Sequence, residues 1–308
     1  MPHPPANRPL PKYFVLDRYC IDRQISVGGF SFVYLARDEA GTPVAIKEYF
    51  PGRLARRQDD SPRPAVPAEC QGAYNQGMRS FFEEARLLAG IDHPNVIKVL
   101  NFFRANDTAY MVMRYEAGRS LHEYIKALKE RGKAVGEEFL RNVFVHLLSG
   151  LREVHRQKLL HLDIKPANIY LRRDGQPVLL DFGATRHGLG GDDSALAKVH
   201  TPGFAAPEQE GSGEPLGPWT DIYAVGATLY ACLACAAPPP AATRVERDEL
   251  EPAQQRWLKR YSPQLLELID WCLRLRMAER PQSVFELQKV LHGELLDLVD
   301  PSWFEAAE

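Results

Sequence analysis

Apolar and polar residues alternate through the first third of the chain, in YCIDRQIS, FVYLARD and PVAIKEYF and again in VIKVLNFFRAN and AYMVMRYE. A period of two predicts strands with one buried face, here an antiparallel sheet interrupted by one helix, RSFFEEARLLAGI. From about Glu116 the period changes. Phe139, Val143, Leu147, Leu151 and Val154 recur at helical spacing as one apolar stripe, and the runs at 219–235, 263–275 and 283–299 also read as helices. Strands followed by helices predict an α+β chain in two lobes: a small antiparallel sheet with one helix over 12–115, and a larger, mainly helical part over 116–299. A cleft between lobes is a usual place for a ligand.

Two stretches break the pattern. Residues 51–78 are rich in Pro and Arg and are expected to form an irregular insertion, and RHGLGGDDSALAKVH has the Gly and Asp content of a mobile loop. Residues 1–11 are expected to form a flexible, proline-rich tail, and 300–308 a short C-terminal one.

The stretch HLDIKPANIYLRRDGQPVLLDFG sets Asp163, Lys165, Asn168 and Asp181 among apolar neighbours. Ile169-Tyr170-Leu171 and Val178-Leu179-Leu180 are β-prone, and Asp174-Gly175 between them signals a two-residue hairpin. In that register Arg173 faces Gln176 and Asn168 faces Asp181, with opposed Cβ atoms roughly 4.5–5.5 Å apart. An amide oxygen and a carboxylate so placed suit Mg²⁺, which fills its remaining positions with water and phosphate oxygens; the same pattern also fits a surface hairpin with polar residues at its ends. Pro177 lacks an N–H and is expected to weaken the ladder near the turn.

Composition narrows the setting. Of the 308 residues 45% are hydrophobic and 25% charged, and 38 Lys and Arg against 40 Asp and Glu leave a formal charge of −2. This balance argues against a dedicated nucleic-acid binder, and no apolar run is long enough to span a bilayer. The N-terminus lacks the apolar core of a secretory signal. The five Cys form no disulfide-like framework, and Cys232 and Cys235 read as small apolar side chains of a helix. A reducing cytoplasm is the expected location.

The ordered series ISVGGFSFV, VAIK, FEEAR, HLDIKPAN, DFG, APE, DIYAVG and ERP resembles the eukaryotic-type protein kinases over roughly residues 13–295, and VAIKEYFP with its following insertion looks like the bacterial members. The resemblance implies the bilobal kinase fold, ATP with Mg²⁺ (or Mn²⁺) as cofactors, and protein substrates phosphorylated on Ser or Thr. By the same resemblance Lys47, aligned by Glu84, would hold the α- and β-phosphates. Asp163 would orient the substrate hydroxyl and take its proton, Lys165 would neutralise the transferring phosphoryl group, and Asn168 and Asp181 would hold the metal. Ser26, Val27, Gly28, Gly29, Val33 and Ala45 would line the nucleotide site. Met113 would close the back of the adenine pocket, and Arg114, Tyr115 and Glu116 would offer backbone hydrogen bonds to the base. An Asp with a reference pKa of about 4 is a poor base at neutral pH and need receive its proton only late; positioning and charge neutralisation do most of the work of phosphoryl transfer.

Further matches imply scaffold. Thr201 in TPGF would be a structural hydroxyl near Asp163, Glu208 would pair with Arg280, and Asp221 would brace the catalytic loop. Two departures stand out. Of the family's three spaced glycines only Gly28 survives, Ser standing at the outer positions, while Gly29 adds some freedom. Leu162 replaces the Arg that usually precedes the catalytic Asp, so ordering of the loop is expected without phosphorylation at Thr185, Ser194 or Thr201, because Leu cannot pair with a phosphate. These departures motivate a competing expectation, a nucleotide-binding pseudokinase acting as a scaffold or switch; a small-molecule kinase is disfavoured by TPGFAAPE. Substrate, activating signal and oligomeric state are not written in the sequence.

Overall fold

The computed structural model describes residues 7–58, 61–182, 186–187, 200–210 and 213–292. Gly183, Thr185, Ser194, most of the loop expected over 186–200, the C-terminal tail and residues 293–299 lie outside them. Two compact units divide the chain, Met1–His93 with Ile97–Glu116 and Pro94–Val96 with Ala117–Glu308.

In the first unit the chain forms β1 (Val15–Leu16), β2 (Tyr19–Val27), β3 (Ser31–Arg37), β4 (Pro43–Tyr49), β5 (Arg56–Arg57), β6 (Pro64–Ala65), α1 (Gln71–Ala89), β7 (Val99–Ala105) and β8 (Thr108–Arg114). Six strands make one antiparallel sheet in the order β1-β2-β3-β4-β8-β7. Alternation sorts its faces as the period of two requires. Cross-strand pairing puts Phe32, Glu48 and Tyr110 in one row and Tyr34, Ile46 and Val112 in the next, all of them buried on one face. Val33, Lys47 and Met111 line up on the opposite face, with Leu35, Ala45 and Met113 beside them.

Helix α1 lies against that second face through Tyr74 and Phe81, whose ring centroids are 5.3 and 5.8 Å from Tyr49. Gly77 makes the approach possible: a Cβ there would stand 2.1 Å from the Tyr49 hydroxyl oxygen. The helix starts at Gln71 rather than Arg79, inside the stretch expected to be irregular, because Tyr74, Phe81, Ala85 and Leu88 continue one buried stripe. Earlier parts are also packed. Ala55 and Leu10 are buried, and Asn7 Nδ2 donates to the Ala55 carbonyl at 3.2 Å, so residues 7–11 depart from the expected tail.

The second unit contains β9 (Gly118–Ser120), α2 (Leu121–Glu130), α3 (Glu137–Arg156), β10 (Leu159–Leu160), β11 (Ile169–Arg172), β12 (Pro177–Leu179), β13 (Arg186–His187), α4 (Pro218–Ala234), α5 (Ala241–Glu246), α6 (Ala253–Trp257), α7 (Pro263–Cys272) and α8 (Val284–His292). Helix α4 is buried from Thr220 to Leu233, as expected of a helix apolar on all sides. Along α3 the stripe runs through Leu140, Val143, Phe144, Leu147, Leu151 and Val154; Phe139 sits at its edge, stacked on Tyr124.

The hairpin forms in a different register from the expected one. Ile169 pairs with Leu179 and Leu171 with Pro177, and the turn is closed by Arg172 N–H on the Gln176 carbonyl at 3.0 Å. Three residues therefore make the loop. Gly175, at φ +82°, supplies the left-handed position that such loops need before the second strand. The shift sets Asn168 opposite Leu180, whose N–H donates to the Asn168 carbonyl at 2.9 Å, and moves Asp181 one residue beyond that pairing. Pro177 is accommodated because β12 is the edge of the β12-β11-β9 sheet. Among the described residues no helix is long and apolar enough to cross a membrane.

Candidate functional site

Each unit carries one cluster of the residues singled out by sequence. In the first, Lys47 on β4 and Glu84 on α1 are both buried, with Nζ 3.6 Å from Oε1. That is the distance of an ion pair rather than a hydrogen bond. The Phe81 ring lies 5.7 Å from the ammonium. Ser26, Val33, Lys47 and Met111 are register partners across four strands, and Ala45 pairs with Met113 on the same face. Val27 ends β2, Arg114 ends β8, and Tyr115 and Glu116 follow it.

The turn after β2 is closed by Gly28 N–H on the Ser31 carbonyl at 2.8 Å. Neither Gly28 nor Gly29 uses a positive φ, and Ser26 and Ser31 lie in strands. The Ser-for-Gly departures therefore carry no backbone strain in this conformation.

In the second unit the segment between β10 and β11 brings Asp163, Lys165 and Asn168 together with Thr201. Thr201 Oγ1 donates to Asp163 Oδ1 at 2.8 Å. Lys165 Nζ reaches both Asp163 Oδ2 and Thr201 Oγ1 at 2.7 Å. Asn168 Nδ2 donates to Asp163 Oδ2 at 2.9 Å and to the Asp163 carbonyl at 2.8 Å. Both amide hydrogens are thus committed, which leaves Oδ1 as the Asn168 atom with lone pairs to offer. Asp181, at φ +58°, starts the segment after the hairpin. An amide oxygen and a carboxylate are hard donors that fit Mg²⁺ or Mn²⁺ with other oxygens completing the shell.

Asp221, wholly buried on α4, supports this loop by accepting from His161 N–H at 2.9 Å and Leu162 N–H at 2.8 Å. Its other partner is His155 Nε2 at 2.7 Å. Burial alone would raise the Asp221 carboxyl, yet the hydrogen bond and charge of His155, then the His161 side, hold it below the ordinary range. Leu162 is buried at φ +63°, a conformation costing roughly 1–2 kcal/mol for an L-residue. The Asp221 bond and a 2.9 Å bond from Gln209 Nε2 to the Leu162 carbonyl offset that strain.

His161 donates from Nε2 to the Leu180 carbonyl at 3.0 Å and accepts at Nδ1 from Asp163 N–H at 3.3 Å. One neutral tautomer satisfies both contacts, and burial pushes the imidazole below its ordinary pKa against the pull of Asp221 and Asp163. Below this frame Arg280 meets Glu208 in a bidentate pair of 2.7 and 3.0 Å, with no exposed side-chain surface on either partner. Burial raises the Cys232 thiol well above its ordinary pKa, as for a packed side chain.

His155 and Gln209 escaped sequence reading. Gln209 lies beside the APE motif, but nothing in its spacing announces a bond to Leu162. Arg57, inside the stretch expected to be irregular, and Glu48 also went unnoticed.

A model of the protein kinase domain matches residues 19–293. The chain is 28% identical to serine/threonine-protein kinase PknA of Nostoc sp. over 290 residues, covering 89% of this chain and 47% of that protein. It is 27% identical to serine/threonine-protein kinase D of Synechocystis sp. over 300 residues, covering 94% and 54%. It thus spans about half the length of these curated relatives. A solved structure titled PpkA-294 apo form superposes with a TM-score of 0.81 at 34% identity, over 92% of this chain and 99% of that one. With a kinase-domain match over most of its length and a hydrogen-bonded Asp163–Lys165–Asn168 cluster in the family's motif, the chain belongs to the protein kinase domain family.

Proposed function

We propose that the chain transfers the γ-phosphoryl group of ATP to Ser or Thr hydroxyls of proteins, itself included. The observation that carries this reading is the Asp163 carboxylate, gripped at one oxygen by Thr201 and at the other by Lys165 and Asn168. A carboxylate fixed in this way is set to receive a hydroxyl proton late in a loose transition state, while Lys165 lies beside it to offset charge on the transferring group.

Lys47, held near Glu84, is the residue proposed to bind the α- and β-phosphates. Val33, Ala45 and Met113, on the Lys47 face, are proposed to contact the adenine with the backbone of Arg114 to Glu116, and Ser26 to Gly29 to cover the phosphates. Asn168 Oδ1 and the Asp181 carboxylate would hold the divalent ion, which supplies neutralisation of phosphate charge when bound. Leu162, buried and without charge, supports a catalytic loop ordered without an activation-loop phosphate. The five free cysteines suit the reducing cytoplasm proposed for it.

Incubation with radiolabelled ATP and Mg²⁺, with and without a generic basic protein, tests the reading. Label on Ser or Thr is expected, with Asp163→Asn reducing it at least about a thousandfold. Nucleotide binding without transfer by the unaltered chain would move the reading to a pseudokinase.

A further inference from the structure

The geometry points to Arg57 as a positioning residue: closed on Glu48, it clasps the start of the insertion so that the Phe50 and Gly52 amides hold the glycine-containing turn. This rests on the proposed role of that turn over the nucleotide phosphates.

The pairing of β3 with β4 continues beyond its last registered pair, Ser31 with Tyr49. Phe50 N–H donates to the Phe30 carbonyl at 2.8 Å and Gly52 N–H to the Gly29 carbonyl at 3.0 Å. Both acceptors belong to the turn itself. The donors flank the first residue of the insertion, which then curls back, with Leu54 and Ala55 N–H on the Pro51 carbonyl at 2.9 Å.

Arg57 fastens this curl to the sheet. Its Nη2 bonds Glu48 Oε1 at 2.5 Å, Nη1 the Arg8 carbonyl at 2.9 Å and Nε the Pro62 carbonyl at 3.2 Å. Glu48 accepts in addition from Tyr34 at 2.7 Å and Tyr110 at 3.0 Å. The guanidinium carbon lies 4.7 Å from the Phe50 ring centroid and 5.9 Å from that of Phe32. Phe50 therefore belongs to both parts: its ring lies against Arg57 and its N–H holds the turn.

The side chains of Arg57 and Glu48 are only 4% and 0% exposed. A buried ion pair of this kind adds little net stability over an apolar substitute, and its attested use is to specify one arrangement among several. The arrangement specified here is the path of residues 50–57, and through it the position of the Gly29 and Phe30 carbonyls.

The test uses a charge-free pair, Arg57→Met with Glu48→Gln, which strands no charge, alongside Arg57→Lys. Hydrogen exchange on the nucleotide-free protein reads the clasp directly. The Phe50 and Gly52 amides are expected to lose at least about tenfold protection in the paired variant while Ile46 keeps its own. Steady-state kinetics should show the KM for ATP raised about tenfold with kcat within about twofold, the pattern of lost binding rather than lost chemistry. Arg57→Lys is expected to fall between the two, because Lys keeps the charge but not the fork of donors.

Unchanged protection at Phe50 and Gly52 in the folded paired variant would overturn the clasp. Lost protection with an unchanged KM for ATP would overturn its positioning role. Absence of phosphoryl transfer in the unaltered protein would count against the proposed function instead, and the exchange result would still judge the clasp.

Discussion

Glu208–Arg280 and Glu48–Arg57 join the same two chemical groups under almost complete burial, yet they are built differently. Arg280 presents a two-pronged face to its carboxylate and spends its other donors on the carbonyls of Arg274, Trp219 and Leu275. Arg57 touches its carboxylate with one nitrogen, the second oxygen going to Tyr34. The first pair ties a motif to a motif within the second unit. The second ties strand β4 to an insertion and to the chain's beginning. Identical charges can thus join two motifs of one unit or fasten an insertion to a strand, with different donors around each.

Removing one partner from each pair separates the two most sharply. Arg280→Ala is expected to cost about 3–5 kcal/mol, because Glu208 is left buried without its partner; denaturant midpoints measure it. Arg57→Ala is expected to cost less, about 1–3 kcal/mol near pH 8, since Tyr34 and Tyr110 still donate to Glu48. Burial already pushes the Glu48 carboxyl up, with Arg57 and the tyrosines pulling it back. Without Arg57 a proton can take its place, so the cost of the substitution should shrink as the pH falls toward 5. A cost independent of pH would erase the contrast.

Acid should act in the opposite sense on the loop frame of the second unit. His161 has a folded pKa below its unfolded value, which is about 6.5. Its contribution is complete above that pH and is lost as the pH falls, by at most about 1.4 kcal/mol per unit. Asp221, also lowered, follows below its unfolded value of about 4. Urea unfolding between pH 7.5 and 5.5 should show this decline, and His161→Phe should flatten it. Equal slopes in the two proteins would remove His161 from the account. The smallest effect is expected from phosphate removal: phosphatase-treated and autophosphorylated protein should differ in activity by less than about twofold, since Leu162 offers no cation for a phosphate to satisfy. A large gap would show that some other residue receives it.

What sequence made legible follows the same division. The sheet, α3, α4 and the Asp163 cluster could be read because period and motif encode them locally. The hairpin register could not, since Asp174-Gly175 serves loops of two or three residues equally and the choice rests on where Gly175 takes its positive φ. Nor could Arg57: in LARRQDD it carries no mark separating it from its exposed neighbour Arg56. Its meaning depends on Glu48 lying opposite the Lys47 face, with Tyr34 and Tyr110 beside it, a coincidence of three strands. Residues 7–11 were misread for the same reason, their partners being distant in sequence.

The contact between Tyr49 and Gly77 works as a mechanical key. Turning and advancing α1 by one residue, about 100° and 1.5 Å, would bring Gln76 or Met78 under the phenol, where a Cβ would meet the Tyr49 side chain. Gly77 therefore keys the helix to the strand in this register. A change of register that drew Glu84 away from Lys47 would first have to part the helix from the Tyr49 ring.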